Sequence, residues 1–339
     1  MPMTASLASL RVLTVTNTWP TPGRPRTTVF IKRQVEFLRA AGVAVDVFYF
    51  DGERRPLRYL RAWLRLHLQL TRGHYDLVHA QFGQNGLIAL PKRLPLVVTF
   101  RGSDLLGIIG PDGRNTWAGR LLQWISRRVA RRADAVVVVA APMKGQLPHG
   151  VEADVIPSGL DLDLLRPHPR EEARRRLGLP LDRRLVLFAA NPDVPRKRHG
   201  LAREAVALLN RSLPAELVVA WGVPHADMPF YMSACDALVL TSVHEGSPNV
   251  VKEALACDLP VVSVSVGDVP ERLRGIEGCE LCADERPETI AAALERVLRR
   301  GGRIAGRATV QHLDERLLAQ QMIRIYQRTV GPPAAPSTS

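Results

Sequence analysis

Short apolar runs alternate along the chain with longer stretches of helical period, and the alternation restarts near the middle. Arg11–Thr16 has strand length and β-branched character, and a Pro- and Gly-rich loop follows from Trp19 to Pro25. Between Thr28 and Ala41, Phe30, Val35, Phe37 and Leu38 recur near helical spacing, and Gly42 supplies a stop, which predicts a helix. Val43–Phe50 predicts a strand, Pro56–Thr71 a basic helix, Leu77–Ala80 and Leu96–Phe100 two further strands. A second basic helix is predicted over Gly119–Ala133, and a strand over Ala135–Val139. Turn formers crowd Val155–Asp161 and Arg166–Pro169, and the pattern then begins again. Strands are predicted at Leu185–Ala189, Glu216–Trp221, Ala237–Thr241 and Pro260–Ser263. Helices near Gly200–Asn210, Pro248–Ala256 and Pro287–Arg299 separate them.

Short strands separated by helices imply parallel sheets with right-handed crossovers. The expected fold is α/β, two tandem Rossmann-like, doubly wound domains facing across a cleft, with ligands at the carboxyl ends of the strands. A length of 339 residues suits two domains of about 150 residues each. The expected partition is one domain over 1–160, a second over 161–312, a helix over 313–330 packing back toward the first domain, and a disordered Pro/Ala/Ser-rich tail over 331–339.

An apolar fraction of 46% excludes a disordered chain. No apolar run approaches the roughly 18 residues of a membrane span, the longest being Ala135–Met143. The first residues lack the basic, apolar and small-residue order of a secretory leader, and four cysteines make no disulfide scaffold. A cytoplasmic protein is therefore expected. The net charge of +13 changes the picture, because it calls for an anionic partner: nucleic acid, a membrane surface or a phosphorylated substrate. Of 46 basic residues only five are lysines, a skew that codon bias also produces.

The densest chemistry lies in His244-Glu-Gly-Ser-Pro-Asn-Val-Val-Lys-Glu253, directly after a predicted strand. Ser247 reads as an N-cap and Pro248 as the first helical residue. The amides and dipole of such a helix start suit a phosphate or sugar oxygen. Glu245 before the helix and Glu253 within it can each accept hydrogen bonds from a vicinal diol. A capped helix with Glu253 facing water would read the same way. Just beyond another strand, Asn191-Pro-Asp-Val-Pro-Arg-Lys-Arg198 offers cations for a diphosphate leaving group, or a solvated basic loop.

The run Glu245-Gly-Ser-Pro-Asn-Val-Val-Lys-Glu253, followed by Ala-Leu-Ala-Cys-Asp-Leu-Pro-Val-Val and Gly267-Asp-Val-Pro-Glu271, resembles the retaining family 4 glycosyltransferases of the two-Rossmann, GT-B fold. The resemblance extends from the first strand through Ile156–Asp161 to a terminal helix ending near Val330. It implies a nucleotide-diphosphate-sugar co-substrate, no cofactor, no metal, and a glycan or lipid-linked acceptor in cell-surface polysaccharide biosynthesis. Glu253 would hold the ribose and Glu245 would approach the donor sugar or its phosphate. His244, Gly246, Ser247, Pro248, Asn249 and Val250 would complete the donor pocket. Lys197 matches the family's diphosphate lysine. Asn191 stands where the arginine is usual, so Arg196 or Arg198 would substitute. Arg101 stands where a histidine is common; it stays protonated and would bind an anion rather than act as base. The catalytic candidates are thus Glu245, Lys197 and Arg101.

The resemblance makes the first domain the acceptor domain and the second the donor domain; acceptor-side candidates are Gly23 in the first loop, His79 near the end of the third strand, Asn85 after it, and Asp104 after the fourth. Residues Trp221–Pro224 are candidates beside the base. Cys279-Glu-Leu-Cys282 is a lone CxxC, short of the four ligands zinc needs. The basic helices carry Trp63, Leu64, Leu66, Leu121, Leu122, Trp124 and Ile125. Either these face a core under a solvated basic face, or they dock the enzyme peripherally on an anionic membrane surface. Another GT-B-type enzyme, such as an epimerase or phosphorylase, would carry a different cleft set. Nucleic acid is not an expected partner, since no helix-turn-helix, zinc-finger or aromatic-interleaved basic motif accompanies the charge.

Overall fold

The computed structural model describes residues 10–21, 29–52, 56–108, 110 and 114–331. Gly23 and the expected tail beyond Gly331 lie outside the described residues. By internal contacts the chain divides into one unit of Met1–Gly159 with Glu315–Ser339, and another of Leu160–Asp314.

In the first unit the elements run β1 (Arg11–Thr16), α1 (Val29–Ala40), β2 (Ala44–Tyr49), α2 (Pro56–Arg72), β3 (Leu77–Gln81), α3 (Gly83–Ile88), β4 (Leu96–Phe100), α4 (Ser103–Leu106), α5 (Trp117–Ala130), β5 (Ala135–Val138) and β6 (Asp154–Val155). The strands form one parallel sheet in the order β2-β1-β3-β4-β5-β6. Its central strands are buried on both faces, which is why they read as near-continuous apolar runs. Side chains alternate between two layers. Leu13, Val15, Val78, Ala80 and Val98 meet Ala62 and Leu66 of α2, Ile88 of α3 and Val129 of α5. Val12, Leu77, Val97 and Val137 meet Val35 and Leu38 of α1 and, from the far end of the chain, Leu318, Met322 and Tyr326. The stripe that α1 buries is Ile31, Val35 and Leu38. Phe30 and Phe37, which the sequence pattern also placed there, are half-buried at its margin. Gly42, at φ +92°, ends α1 in a conformation that costs other residues strain.

The second unit contains α6 (Arg170–Leu177), β7 (Arg184–Phe188), α7 (His199–Leu209), β8 (Ala215–Val219), α8 (Met228–Ala234), β9 (Ala237–Leu240), α9 (Asn249–Ala256), β10 (Val261–Ser263), α10 (Val269–Leu273), β11 (Glu280–Leu281), α11 (Pro287–Arg300) and α12 (Gly306–Thr309). The remaining helix, α13 (Glu315–Val330), is the one that packs on α1 in the first unit. The second sheet is also parallel, ordered β11-β10-β9-β7-β8. The unit is closed where Leu160 N–H donates to the Leu313 carbonyl at 2.8 Å.

Several arginines of this unit are internal ties, not surface charge. Arg174 is buried and donates to the carbonyls of Ala234, Pro180, Leu181 and Arg183 and to Asp236. Arg307 donates to the carbonyls of Leu162, Leu165 and Ala256. Five fixed donors on a planar group let one side chain satisfy several buried carbonyls. Among the described residues, no helix is long and apolar enough to cross a membrane.

Candidate active site

In the second sheet β7 has β8 on one side and β9 on the other, so the chain reverses its direction of winding there. Loops leaving the carboxyl ends of β7 and β9 flank that switch point, the position at which open α/β sheets hold ligands. The loop after β7 carries Asn191 to Arg198, and the loop after β9 carries His244 to Pro248.

The two loops are joined by backbone. Val243 N–H donates to the Arg196 carbonyl at 2.9 Å. The Thr241 hydroxyl donates to the Lys197 carbonyl (2.9 Å), and Arg198 Nε to the Thr241 carbonyl (2.6 Å). That lattice fixes the cations against Glu245: Lys197 Nζ and Arg196 (2.9 Å) both donate to its Oε1. Burial pushes the Lys197 ammonium below its usual pKa, and Glu245 opposes the shift. Arg198 adopts a left-handed conformation (φ +51°) as it enters α7, and its guanidinium pairs with Glu285. Asn191 is a turn residue whose Oδ1 accepts from Asp193 N–H at 3.0 Å. Arg196 and Lys197 therefore supply the cations nearest Glu245, while Asn191 shapes the loop.

Glu253 lies just over one turn into α9, with its carboxylate almost buried. Its Oε1 is 3.3 Å from His225 Nε2. The helix starts one residue later than the sequence suggested, because Ser247 does not cap it. Its hydroxyl instead donates to Asp268 Oδ2 at 2.8 Å, and Pro248 occupies the N-cap position. Asp268 N–H in turn donates to the Gly246 carbonyl at 3.2 Å, and Arg272 donates to the Asp268 carboxylate. Gly267 (φ +56°) lies so close that a Cβ there would sit 2.5 Å from the Gly246 carbonyl. The loop after β10 thus braces the loop bearing Glu245.

No side chain caps α7 or α9. Around them, Arg198 Nη2, Ser242 Oγ, His244 Nε2, Asn249 Oδ1 and Asp268 Oδ1 are buried polar atoms lacking a hydrogen-bond partner. Such atoms are costly unless a ligand or solvent engages them. Burial lowers the His244 pKa. Gly246 and Val250 line the same turn, half-buried, and Trp221 is exposed beyond β8. Sequence reasoning did not include His225, Asp268 or Gly267 among the site residues. The Gly-Asp pair directly after a predicted strand was the available signal for the last two.

The first unit also reverses winding, between β1 and β3. Arg101 follows β4 and donates from Nε to Gln81, from Nη1 to Ser158 and from Nη2 to Gln34, each at 2.9 Å. Its guanidinium carbon lies 4.8 Å from the centre of the Phe30 ring. Burial lowers its pKa to about 10, which leaves it charged at neutral pH.

Three acceptor-side candidates prove to be interior. His79 is fully buried, 2.6 Å from the Tyr326 hydroxyl and 2.7 Å from the Thr99 hydroxyl. Burial, aided by the charge of Arg101, lowers its pKa to about 3. Its strand is covered on both faces, so no side chain of β3 reaches the open edge. Asn85 is buried and donates to Asn17 Oδ1 at 2.9 Å. Asp104 is buried and accepts the backbone N–H groups of Gly83, Arg101, Gly102 and Leu105. It pins loops together and has no open oxygen for an acceptor. The CxxC thiols are free and burial raises both, Cys282 to about 11. Among the described residues no three His, Cys, Asp or Glu side chains gather as a metal cluster.

Residues 10–164 match the model of Glycosyltransferase Family 4, and residues 185–300 that of Glycosyl transferases group 1. TuaC of Bacillus subtilis, assigned to teichuronic acid biosynthesis as a glycosyltransferase, is 25% identical over 77% of this chain and 82% of its own. The D-inositol 3-phosphate glycosyltransferase of Mycobacterium tuberculosis is 27% identical over 76% of this chain, a match that spans only 63% of the relative. Among solved structures, sucrose-phosphate synthase of Thermosynechococcus elongatus superposes with a TM-score of 0.76 at 18% identity, covering 94% of this chain and 99% of that one. Anabaena HepE in complex with UDP-glucose gives 0.69 at 17% identity, with the same coverage. Two parallel sheets with flanking helices, shared with these structures, define the GT-B fold, and the two family models, which between them span most of the chain, make it a glycosyltransferase. Within that class, the chain belongs to the family 4 type.

Proposed function

We propose that the chain transfers a sugar from a nucleoside-diphosphate donor with retention of anomeric configuration and without a divalent metal. The observation that carries the reading is the Lys197–Glu245–Arg196 cluster at the point where the second sheet reverses its winding. Cations fixed there by backbone bonds are positioned to take up the negative charge that grows on a departing diphosphate, at no reorganisation cost during the reaction. The uncapped starts of α7 and α9 add amide donors and their dipoles. Glu253, with His225 beside it, is placed to accept from ribose hydroxyls, and Glu245 to orient the donor sugar.

Retention is supported by what the first unit lacks among its described candidates. His79 is neutral and enclosed, Asp104 is saturated by amides, and Arg101 holds its proton. With no such base, the departing phosphate oxygen itself accepts the acceptor's proton, and the acceptor attacks from the same side. Catalysis then rests on positioning and electrostatics.

The similarity to TuaC and to the inositol-phosphate enzyme supports a hydroxyl acceptor, glycan or lipid-linked, in cell-surface polysaccharide assembly. The enzyme would work in the cytoplasm, peripheral at the inner membrane face. Proton NMR of the first product from an α-configured donor tests the mechanism: an α-linkage is expected, and a β-linkage rejects it. Activity abolished by EDTA and restored by magnesium or manganese rejects the metal-free reading.

A further inference from the structure

The helix α2 buries Ala62 and Leu66 against the first sheet, yet its opposite side is not polar. Leu57, Leu60, Leu64 and Leu68 are each between 50 and 70% exposed, at spacings of three, four and four residues. They form one stripe along the helix, about 16 Å long at 1.5 Å per residue. Arg61, Arg65 and Arg72 are exposed along its flank. The helix α5 repeats the design. Val129 and Ala130 face the core, while Trp117 (78% exposed), Leu121 and Trp124 (56%) share the outer side. Arg120, Arg127 and Arg128 surround them, and Arg131 and Arg132 follow, all exposed.

Between the two lies α3, in contact with both, with Leu87 exposed. A groove of about 530 Å³ between α3 and α5 is lined by Leu87, Leu90, Trp124, Arg128, Arg131 and Arg132. Arg128 stacks over the Trp124 ring at 4.9 Å. None of the residues of α2, α3 or α5 is acidic.

Leucines standing this far out of a helix on one side, in line, mark a docking face. Charge selects its occupant. A second copy of the chain would oppose one arginine-rich face to another, so self-association is disfavoured. An anionic bilayer meets every feature at once: leucines enter the acyl boundary, indoles sit at headgroup level, and guanidiniums pair with phosphates. We propose that the α2–α3–α5 face docks the enzyme on an anionic membrane, with lipid phosphates held in the α3–α5 groove by Arg128, Arg131 and Arg132. This deepens the peripheral placement proposed above and does not depend on the donor chemistry.

The test is co-sedimentation of the full chain with phosphatidylcholine vesicles, with and without phosphatidylglycerol. Binding is expected only with the anionic lipid, and is expected to fall as salt screens the charges. Arg128→Ala should lower partitioning about fivefold. Leu64→Glu with Leu68→Glu should lower it tenfold or more, with an unchanged melting temperature and unchanged transfer to a soluble acceptor. No binding at low ionic strength overturns the proposal. So does binding indifferent to lipid charge or to these substitutions. A dimer or a complex with an acidic protein that the leucine substitutions abolish, without vesicle binding, would reassign the face to that partner. Vesicle binding by a parent chain that transfers no sugar from any nucleotide-sugar would count against the enzymatic reading instead, so the two failures separate.

Discussion

Replacing His79 with Gln separates a structural histidine from a catalytic one. His79 bridges Tyr326 and Thr99 without contact with solvent, and its folded pKa of about 3 lies well below the ordinary 6.5. Folded, it stays neutral; unfolded, it takes up a proton below pH 6.5. Its contribution is therefore complete above pH 6.5 and is lost as pH falls toward 3. At 1.36 kcal/mol per unit, the gap amounts to about 5 kcal/mol in full, and about 2 kcal/mol by pH 5. Four of the five tryptophans (Trp19, Trp63, Trp117 and Trp124) lie in the first unit. In a Trp221→Phe background, indole fluorescence thus follows that unit alone. Urea titrations at pH 8, 6 and 5 are expected to show the parent losing stability on acidification. The His79→Gln variant, weaker at pH 8, should lose about 2 kcal/mol less between pH 8 and pH 5. Equal losses in the two proteins would refute the buried, neutral assignment. An unchanged pH response combined with abolished transfer would return His79 to the acceptor site.

Removing the Glu253 carboxylate in Glu253→Ala should cost about 1.5–3 kcal/mol of nucleotide affinity by calorimetry, the worth of a charged hydrogen bond; unchanged affinity in a folded variant removes Glu253 from the ribose. Lys197→Ala should lower kcat on the order of 10²-fold under saturating donor, as for loss of a preorganised charge stabiliser, and an undiminished kcat rejects that role. Gly267→Ala forces a Cβ toward the Gly246 carbonyl at positive φ, and should weaken donor binding by about 1–3 kcal/mol through the displaced Glu245 loop. Unaltered binding would show that the brace is dispensable.

The central strands were legible because parallel, doubly covered strands leave unbroken apolar runs: Leu96–Phe100 is the same five residues in sequence pattern and structure. The short α3 was not. Its Gly-Gln-Asn-Gly-Leu-Ile has too few apolar residues for a period, and its place depends on glycines that let α5 approach. A Cβ on Gly86 would lie 2.5 Å from Val129. In the candidate site, the order of strand, loop and helix brought Lys197, Glu245 and Glu253 to one sheet edge. The pairing of His225 with Glu253 spans 28 residues and leaves no local trace. His79 shows the limit most clearly. Position near a strand's carboxyl end suggested an open edge, whereas burial of both faces of that strand decides the matter, and burial is a property of the neighbours. The leucines of α2 show the converse: a stripe of helical period does not tell which side of the helix is inward.

The helix α13 supplies Tyr326, Met322 and Leu318, among others, to a core whose remaining members lie between Val12 and Ile156. Synthesis therefore runs against completion. On the ribosome the second unit, continuous from Leu160 to Asp314, emerges whole and can close on itself through Leu160 and Leu313. The first unit, though earlier in the chain, waits with the sheet face bearing Val12, Leu77 and Val97 partly uncovered, and with His79 lacking its phenol partner, until the last helix arrives. Domains ordinarily fold in the order they are made. Here the earlier one finishes last, so a stalled or clipped chain exposes a ready surface for chaperones and proteases in the half that has been out of the tunnel longest.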